Sequence, residues 1–512
     1  MYTLADLSRH GAARHGCRTA VVFEGTRLTY ADLNRRVNQA AHAMIDLGLQ
    51  PGERLAILSD NSARYLETYL AAAKLGVSVT PLNTRLSEPE LEYIVKDSDA
   101  VVMVVGDGYE QLASALLSST SALRRGLALD NHVNGFVAYE EALAQAPDHE
   151  PDPDFYRVSE DDLAVLMYTG GTTGTPKGVM LSHRNLLTAA IAAALGGAIT
   201  KDDSTCFVLP IFHVSWWPIL TLLLVGGKVV INRRPDLDEI LRLIQEEKCT
   251  HANLVPTIYG WLTDHPALDS YDLSSLRSLT YAGSPFPAEV LKRAITAFGP
   301  LFAQGYGATE TAGGPITMLD AADHHLDGAD SHLLASAGRV AICSEIEVVD
   351  AVGERVEPGQ IGEVCVRGKH VMLGYWKNPD LTADVLRNGW YHTGDLGYLD
   401  DRGFLFLTGR KSDMIISGGE NVYPSEVENA IHSHPAVLEC SVLGTADERW
   451  GELVHAVVVV RDGAQVSAEE IIEHCRDHLA GYKCPKKVSF RNGLPKTVVG
   501  KINRKELGEL VR

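Results

Sequence analysis

The chain has 512 residues, too many for one hydrophobic core, and that length predicts two to four compact units. An apolar share of 45% with 22% charged residues is that of an ordinary soluble globular protein. The net charge of −20 argues against a nucleic-acid partner, so any polyanionic substrate must be met by local basic residues rather than by the overall field. Eight cysteines, at positions 17, 206, 249, 343, 365, 440, 475 and 484, form no C-x-x-C pair, which argues against a disulfide framework and against a zinc site.

The first residues, "MYTLADLSRHGAARHG", carry charges and histidines where a signal peptide needs an uninterrupted apolar core. From there, short β-branched runs alternate with helix-period segments: "RLAIL", "YLETYLAAAKLG", "SVTPLN", "ELEYIVKDSDA", "AVVMVVG". This is the rhythm of α/β units with buried sheets. It resumes at "STCFVLP", "KVVIN", "DEILRLIQEEKC", "HANLVP" and "LRSLTYAG". The apolar stretch "WWPILTLLLVGG" (216–227) is shorter than a membrane span requires, and a cytoplasmic protein is expected. From about residue 338 the strands shorten and tight turns such as "AVGE" and "DDRG" separate them, which predicts a β-rich subdomain closing the large N-terminal part. A last stretch of about one hundred residues after "GRKSD" has its own βαβ-like pattern and suffices for a small domain. The expected division is 1–409, a hinge at 410–413, and 414–512.

Between the two α/β stretches, directly after "LAVLM", stands "YTGGTTGTPKG" (168–178). Glycines let backbone N–H groups converge on an anion, threonine hydroxyls add donors, and a lysine supplies a charge. The Walker pattern is nevertheless absent, because Pro176 stands before Lys177 and Gly178 follows it. Taken alone, the stretch is equally a surface turn joining a strand to the next element. Further along, "QGYGATE" puts Tyr306 and two glycines ahead of Glu310, a set suited to a stacked base and a metal-binding carboxylate. "GWYHTGDLG" puts Asp395 in a glycine turn, where a carboxylate can accept two ribose hydroxyls. "LTGRKSD" and "PKTVVGKINRKEL" add Arg410 and Lys501. Singly, Glu310 is as readily a helix cap, Asp395 a turn stabiliser, Arg410 a surface ion pair and Lys501 a solvated lysine.

Together, "YTGGTTGTPKGVMLSHRN", "PIFHVSWWP", "QGYGATE", "SAGRV", "GWYHTGDLG", "GRKSDMIISGGENVYPSEVE" and "PKTVVGKINRKEL" stand in the order and spacing of the AMP-forming acyl-CoA synthetase, or adenylate-forming, superfamily, which the chain resembles over essentially its whole length. The superfamily also holds luciferases and peptide-synthetase adenylation domains. The resemblance implies an α/β fold: a large N-terminal domain of stacked α/β subdomains with a β-rich part, and a small mobile α+β C-terminal domain. It implies attack of a carboxylate on the α-phosphorus of Mg²⁺·ATP, then displacement of AMP by the thiol of coenzyme A, in a monomer or homodimer.

By the same resemblance, Thr169, Gly170, Gly171, Thr172, Thr173, Gly174 and Lys177 embrace the β- and γ-phosphates. Thr309 and Glu310 handle the α-phosphate and Mg²⁺. Gly283, Ser284, Gly305, Tyr306, Gly307, Ala308 and Leu407 surround the nucleotide, and Asp395 and Arg410 hold the ribose. Lys501 is the adenylation lysine. Gly418, Gly419 and Trp450 line the pantetheine channel, with Ser412 as hinge. His213, also counted among catalytic residues, forms the acyl pocket with Val214, Ser215, Trp216, Ala282, Gly305, Thr311, Ala312 and Gly313, although Trp216 and Trp217 are equally core or gate residues. "HVSWW" offers no acid for a substrate amine, which favours a CoA ligase over an amino-acid-activating module. Four positions depart from the family's habit: Gly171 for serine, Val340 for proline, Cys343 for glycine, and Ser412 for Asp or Lys. A member specialised for one half-reaction, or one that loads a carrier protein, is the alternative expectation.

Overall fold

The computed structural model describes residues 3–152, 155–170, 176–284, 286–417, 419–447, 449–496 and 502–511; Gly171, Thr172, Thr173, Gly174, Gly418 and Lys501 lie outside them. The expected alternation is observed, and its elements begin where local chemistry starts them. Helix Ala63–Lys74 opens on Ser62, whose hydroxyl accepts the Tyr65 N–H, and helix His183–Gly196 opens on a Ser182–Asn185 capping box. Strands Arg54–Leu58, Ser78–Pro81 and Val102–Val105 pair in parallel with most residues buried, as continuous apolar runs require when both faces are covered.

These strands belong to an eight-stranded sheet whose other end carries, in order, Leu163–Thr169, Lys177–Ser182 and Gly374–Tyr375. A second sheet has fourteen strands. Its parallel part runs through Thr19–Phe23, Lys228–Ile231, Ser204–Phe207, His251–Leu254, Ser278–Ala282 and Phe302–Tyr306. The main core lies between the two sheets. It is filled by helices Tyr30–Asp46, Ala63–Lys74, His183–Gly196 and Trp217–Val225. Among the described residues no helix is long and apolar enough to cross a membrane.

The strand-rich stretch after residue 338 does not form a sheet of its own. Strand Thr317–Leu319 turns back antiparallel on Phe302–Tyr306, and Gly338–Val340, Phe404–Arg410, Trp390–Leu399, Gly362–Arg367 and Glu345–Val349 follow in that order. An otherwise unpaired edge is thereby covered. The extension also sets Asp395 and Arg410 beside the ends of the parallel strands. Beyond it, the C-terminal part is built on a five-stranded sheet with its own apolar core around Val427, Val442, Val458 and Ile471.

Candidate active site

In open α/β sheets, ligands gather at the carboxyl ends of the strands. Strands Ser278–Ala282 and Phe302–Tyr306 end side by side, Ala282 opposite Gly305. Gly283 follows at φ +87°, and a Cβ on Gly305 would meet only Pro315, at 3.9 Å, so this edge is open. After Tyr306 the chain makes a 3₁₀ turn, Thr309–Thr311, fixed by the Ala308 N–H donating to Thr311 Oγ1 at 3.0 Å. Gly307 has no room for a side chain, because a Cβ would stand 2.4 Å from the Gly314 carbonyl. The turn presents Glu310, whose backbone carbonyl accepts the Met372 N–H at 2.8 Å.

Facing it is the hairpin of Leu163–Thr169 and Lys177–Ser182, with Thr169 paired to Lys177 at the mouth of the glycine-rich loop. The Thr169 hydroxyl is enclosed and has no hydrogen-bond partner among the described residues. Gly178 is demanded by packing: a Cβ there would lie 2.9 Å from the Leu166 side chain and 3.2 Å from Trp376. Lys177 Nζ stands 3.5 Å from Glu310 Oε1 and donates at 2.8 Å to the hydroxyl of Tyr375, a residue that sequence reasoning did not single out. Tyr375 comes from the edge strand Gly374–Tyr375, opposite Val179. Its only sequence signal was a tyrosine after glycine in "MLGYW", indistinguishable from a core aromatic.

At the other end of the same crevice, Asp395 Oδ2 accepts the Tyr306 hydroxyl at 2.6 Å and Oδ1 lies 3.0 Å from Arg410 Nε. Asp395 and Arg410 are directly opposite in an antiparallel pair, and Leu407 lies opposite Gly397 in the same ladder. Gly394, at φ +72°, turns the strand before Asp395, whose N–H donates to Thr393 Oγ1. Burial, and after it the Asp395 charge, pushes the Tyr306 hydroxyl well above its usual range, so it remains a donor. The carboxylate is thus oriented from two sides while keeping acceptor capacity.

The acyl-pocket residues are brought together only in part. His213 caps the turn Val214–Trp216 through its Nδ1, which meets the Ser215 N–H at 3.4 Å and Ser215 Oγ at 3.3 Å. Gly313, at φ +68°, presses on that turn, since a Cβ would come within 2.6 Å of the Val214 carbonyl. Trp216, however, is fully enclosed and stacks on Tyr69 with ring centroids 4.3 Å apart. It stands at the N-cap of helix Trp217–Val225 and belongs to the main core between the sheets. Thr311 and Ala312 are also fully buried, beneath the turn rather than on its face. Ala282, Ser284 and Ser215 are partly accessible.

In the C-terminal part, strands Ile415–Ser417 and Glu420–Val422 form a tight hairpin, and Ser417 pairs with Gly451, next to Trp450. This brings Gly419 and Trp450 to one edge. Gly419 stands at φ +85°, which favours glycine, and a Cβ there would meet nothing within 4 Å. Cys343 stands at φ +72°, which explains in backbone terms why glycine suits that position. Ser412 lies in the exposed 3₁₀ turn Lys411–Asp413 and donates to Asp413 Oδ1 at 3.0 Å. Lys483 is tied to Glu426 at 2.6 Å.

Sequence reasoning also missed the support around residue 501. Lys496 and Ile502 pair across the loop base, the Asn503 N–H donates to the Pro495 carbonyl, and Arg504 grips both Glu428 oxygens at 2.7 and 2.9 Å. Removing Glu428 takes away a partly buried charge-assisted pair and the acceptor of the Val442 N–H. Glu428→Ala is therefore expected to destabilise the C-terminal part by about 1.5–3 kcal/mol, read as an earlier transition in urea denaturation.

The comparisons agree with this geometry. Residues 8–376 match the model of the AMP-binding enzyme family and residues 426–501 that of the AMP-binding enzyme C-terminal domain. The chain belongs to the AMP-binding enzyme family. As a member it is an ATP-dependent ligase of the adenylate-forming kind, a family that uses ATP and coenzyme A. A feruloyl-CoA synthase of Amycolatopsis sp is 40% identical over 491 residues, covering 96% of this chain and 95% of that one. Among solved structures, the amide bond synthetase McbA from Marinactinospora thermotolerans superposes with a TM-score of 0.90 at 31% identity, over 99% of this chain and 100% of that one. The anthranilate CoA ligase AuaEII, in complex with anthranoyl-AMP, superposes with a TM-score of 0.90 at 26% identity, over 100% and 97%.

Proposed function

We propose that the protein activates an aromatic carboxylic acid with ATP and transfers the acyl group to coenzyme A. The observation that supports this reading best is the pairing of two chemistries in one crevice. Lys177 and Glu310 stand at the end suited to phosphates, and Tyr306, Asp395 and Arg410 at the end suited to a nucleoside, with Tyr306 and Glu310 linking the two from one strand end and the turn after it. In the first step a carboxylate oxygen bonds to the α-phosphorus and the bond to pyrophosphate breaks. The chain's part is positioning and charge neutralisation.

Asp395 would accept the ribose hydroxyls, held for that by Tyr306 and Arg410. Lys177 would meet the β- and γ-phosphates, and Lys501 the attacking carboxylate and α-phosphate. Mg²⁺ fits the single carboxylate of Glu310, since this ion is usually bound by one or two carboxylates with water and substrate phosphates, and when bound it neutralises charge on the phosphates. In the second step the coenzyme A thiolate forms a bond to the acyl carbon, AMP leaves, and rotation about 410–413 would exchange Lys501 for the edge holding Gly419 and Trp450.

The acid class rests on the open edge at Ala282, Gly283 and Gly305 and on the ferulate and anthranilate in the names of two relatives. The test is carboxylate-dependent exchange of pyrophosphate into ATP over hydroxycinnamates, benzoates, arylacetates and fatty acids, with thioester formation measured in parallel. Exchange and thioester with an aromatic acid are expected. Exchange without thioester, with acyl transfer to an added amine or carrier protein, would move the second step to another acceptor. No exchange with any acid would overturn the reading.

A further inference from the structure

Lys177 and Glu310 are joined less by their own contact than through Tyr375. Lys177 Nζ donates to the Tyr375 hydroxyl at 2.8 Å, and that hydroxyl donates to Glu310 Oε1 at 2.7 Å, while the direct separation of the charges is 3.5 Å. The order is forced by donor count. An ammonium accepts nothing and an ionised carboxylate donates nothing, so the one hydroxyl proton goes to Glu310 and the lone pair takes Lys177. The ring adds a second hold, with Nζ 4.2 Å from its centroid.

The backbone of Tyr375 is equally determined. It pairs with Val179, two residues along the strand from Lys177, and its N–H donates to Thr382 Oγ1 at 2.9 Å. The same segment grips the Glu310 turn through Met372. Tyr375 is only 3% exposed, and besides Lys177 and Glu310 its hydroxyl has the side chain of Tyr391 as a neighbour. A phenylalanine would fill the same space.

Resting on the ligase reading above, we infer that Tyr375 is a positioning residue for adenylation: its hydroxyl holds Lys177 and Glu310 at 3.5 Å, short of a direct hydrogen bond, and aimed at the triphosphate, so that Mg·ATP has no tighter contact between them to break. Tyr375→Phe isolates this role because it keeps the ring, and with it both packing and the cation–π contact. The variant is expected to raise the Kd for Mg·ATP, and the KM for ATP in pyrophosphate exchange, by about tenfold, the worth of one hydrogen bond to a charged group. Thioester formation from a supplied acyl-adenylate uses neither β- nor γ-phosphate and should stay within about twofold.

Unchanged ATP binding in the variant overturns the inference, as does an equal loss in both half-reactions together with a lowered melting temperature, which would make Tyr375 merely structural. Failure of the wild-type protein to bind Mg·ATP would overturn the ligase reading first, and that measurement needs no knowledge of the acid.

Discussion

Lys501→Ala is expected to lower carboxylate-dependent pyrophosphate exchange by about 10²–10³-fold while sparing thioester formation from a supplied acyl-adenylate. The magnitude is that of removing one preorganised charge from the place where charge develops in the transition state. The asymmetry follows from the proposed domain rotation, which takes the lysine loop away before the thiol arrives. The described residues on either side are held in place: Lys496 bridges to Ile502, and Arg504 grips Glu428. Exchange at the wild-type rate in this variant would mean that another cation does the work.

Asp395→Ala should behave differently, depressing both half-reactions. Both steps hold the AMP moiety, and Asp395 is the acceptor assigned to its ribose. The substitution also removes the partner of the Tyr306 hydroxyl, 2.6 Å away, and of Arg410, 3.0 Å away. Losing a charged acceptor of hydrogen bonds costs about 1.5–3 kcal/mol, so affinity for ATP should fall by about tenfold to a hundredfold. The check is equilibrium binding of ATP and of AMP to the purified variant, alongside both half-reactions. Asp395→Asn, which keeps an acceptor oxygen and the approximate shape, should recover part of the loss. If AMP binds the alanine variant as it binds the wild type, Asp395 is a turn residue and the ribose is held elsewhere.

The two substitutions together separate the assignments. Lys501 acts in one half-reaction by proposal and Asp395 in both, so a variant that behaves like the other would exchange their roles. Tyr375→Phe adds a third pattern, a change in ATP affinity confined to adenylation. Glu428→Ala gives a fourth, in which stability falls first.

Much of the chemistry was legible before any coordinates. Glycines, threonines and a lysine in one loop, an aromatic ahead of a carboxylate, and an aspartate in a glycine turn are residue types that core packing does not ask for. Their fixed order over the whole chain led to the family that the comparisons then showed. What the sequence left open concerns direction. Trp216 follows His213 and could be a pocket or a core residue by sequence, and it falls between the sheets against Tyr69. At Gly419 sequence does not distinguish the need for space from the need for a positive φ, and the backbone there stands at +85°.

The sequence by itself determined the alternation of strands and helices, the identity of the family and the inventory of charged groups the reaction would use. These depend on local periodicity and residue type, which any stretch carries within itself. Only the tertiary structure decided that the strand-rich stretch extends the parallel sheet rather than forming its own, and so sets Asp395 against Tyr306. Only it decided that Tyr375, about two hundred residues from Lys177, supplies the hydroxyl between that lysine and Glu310. Such contacts are made by sheet pairing across long sequence separations, and pairing depends on which edges are left to be covered once the rest of the chain has folded.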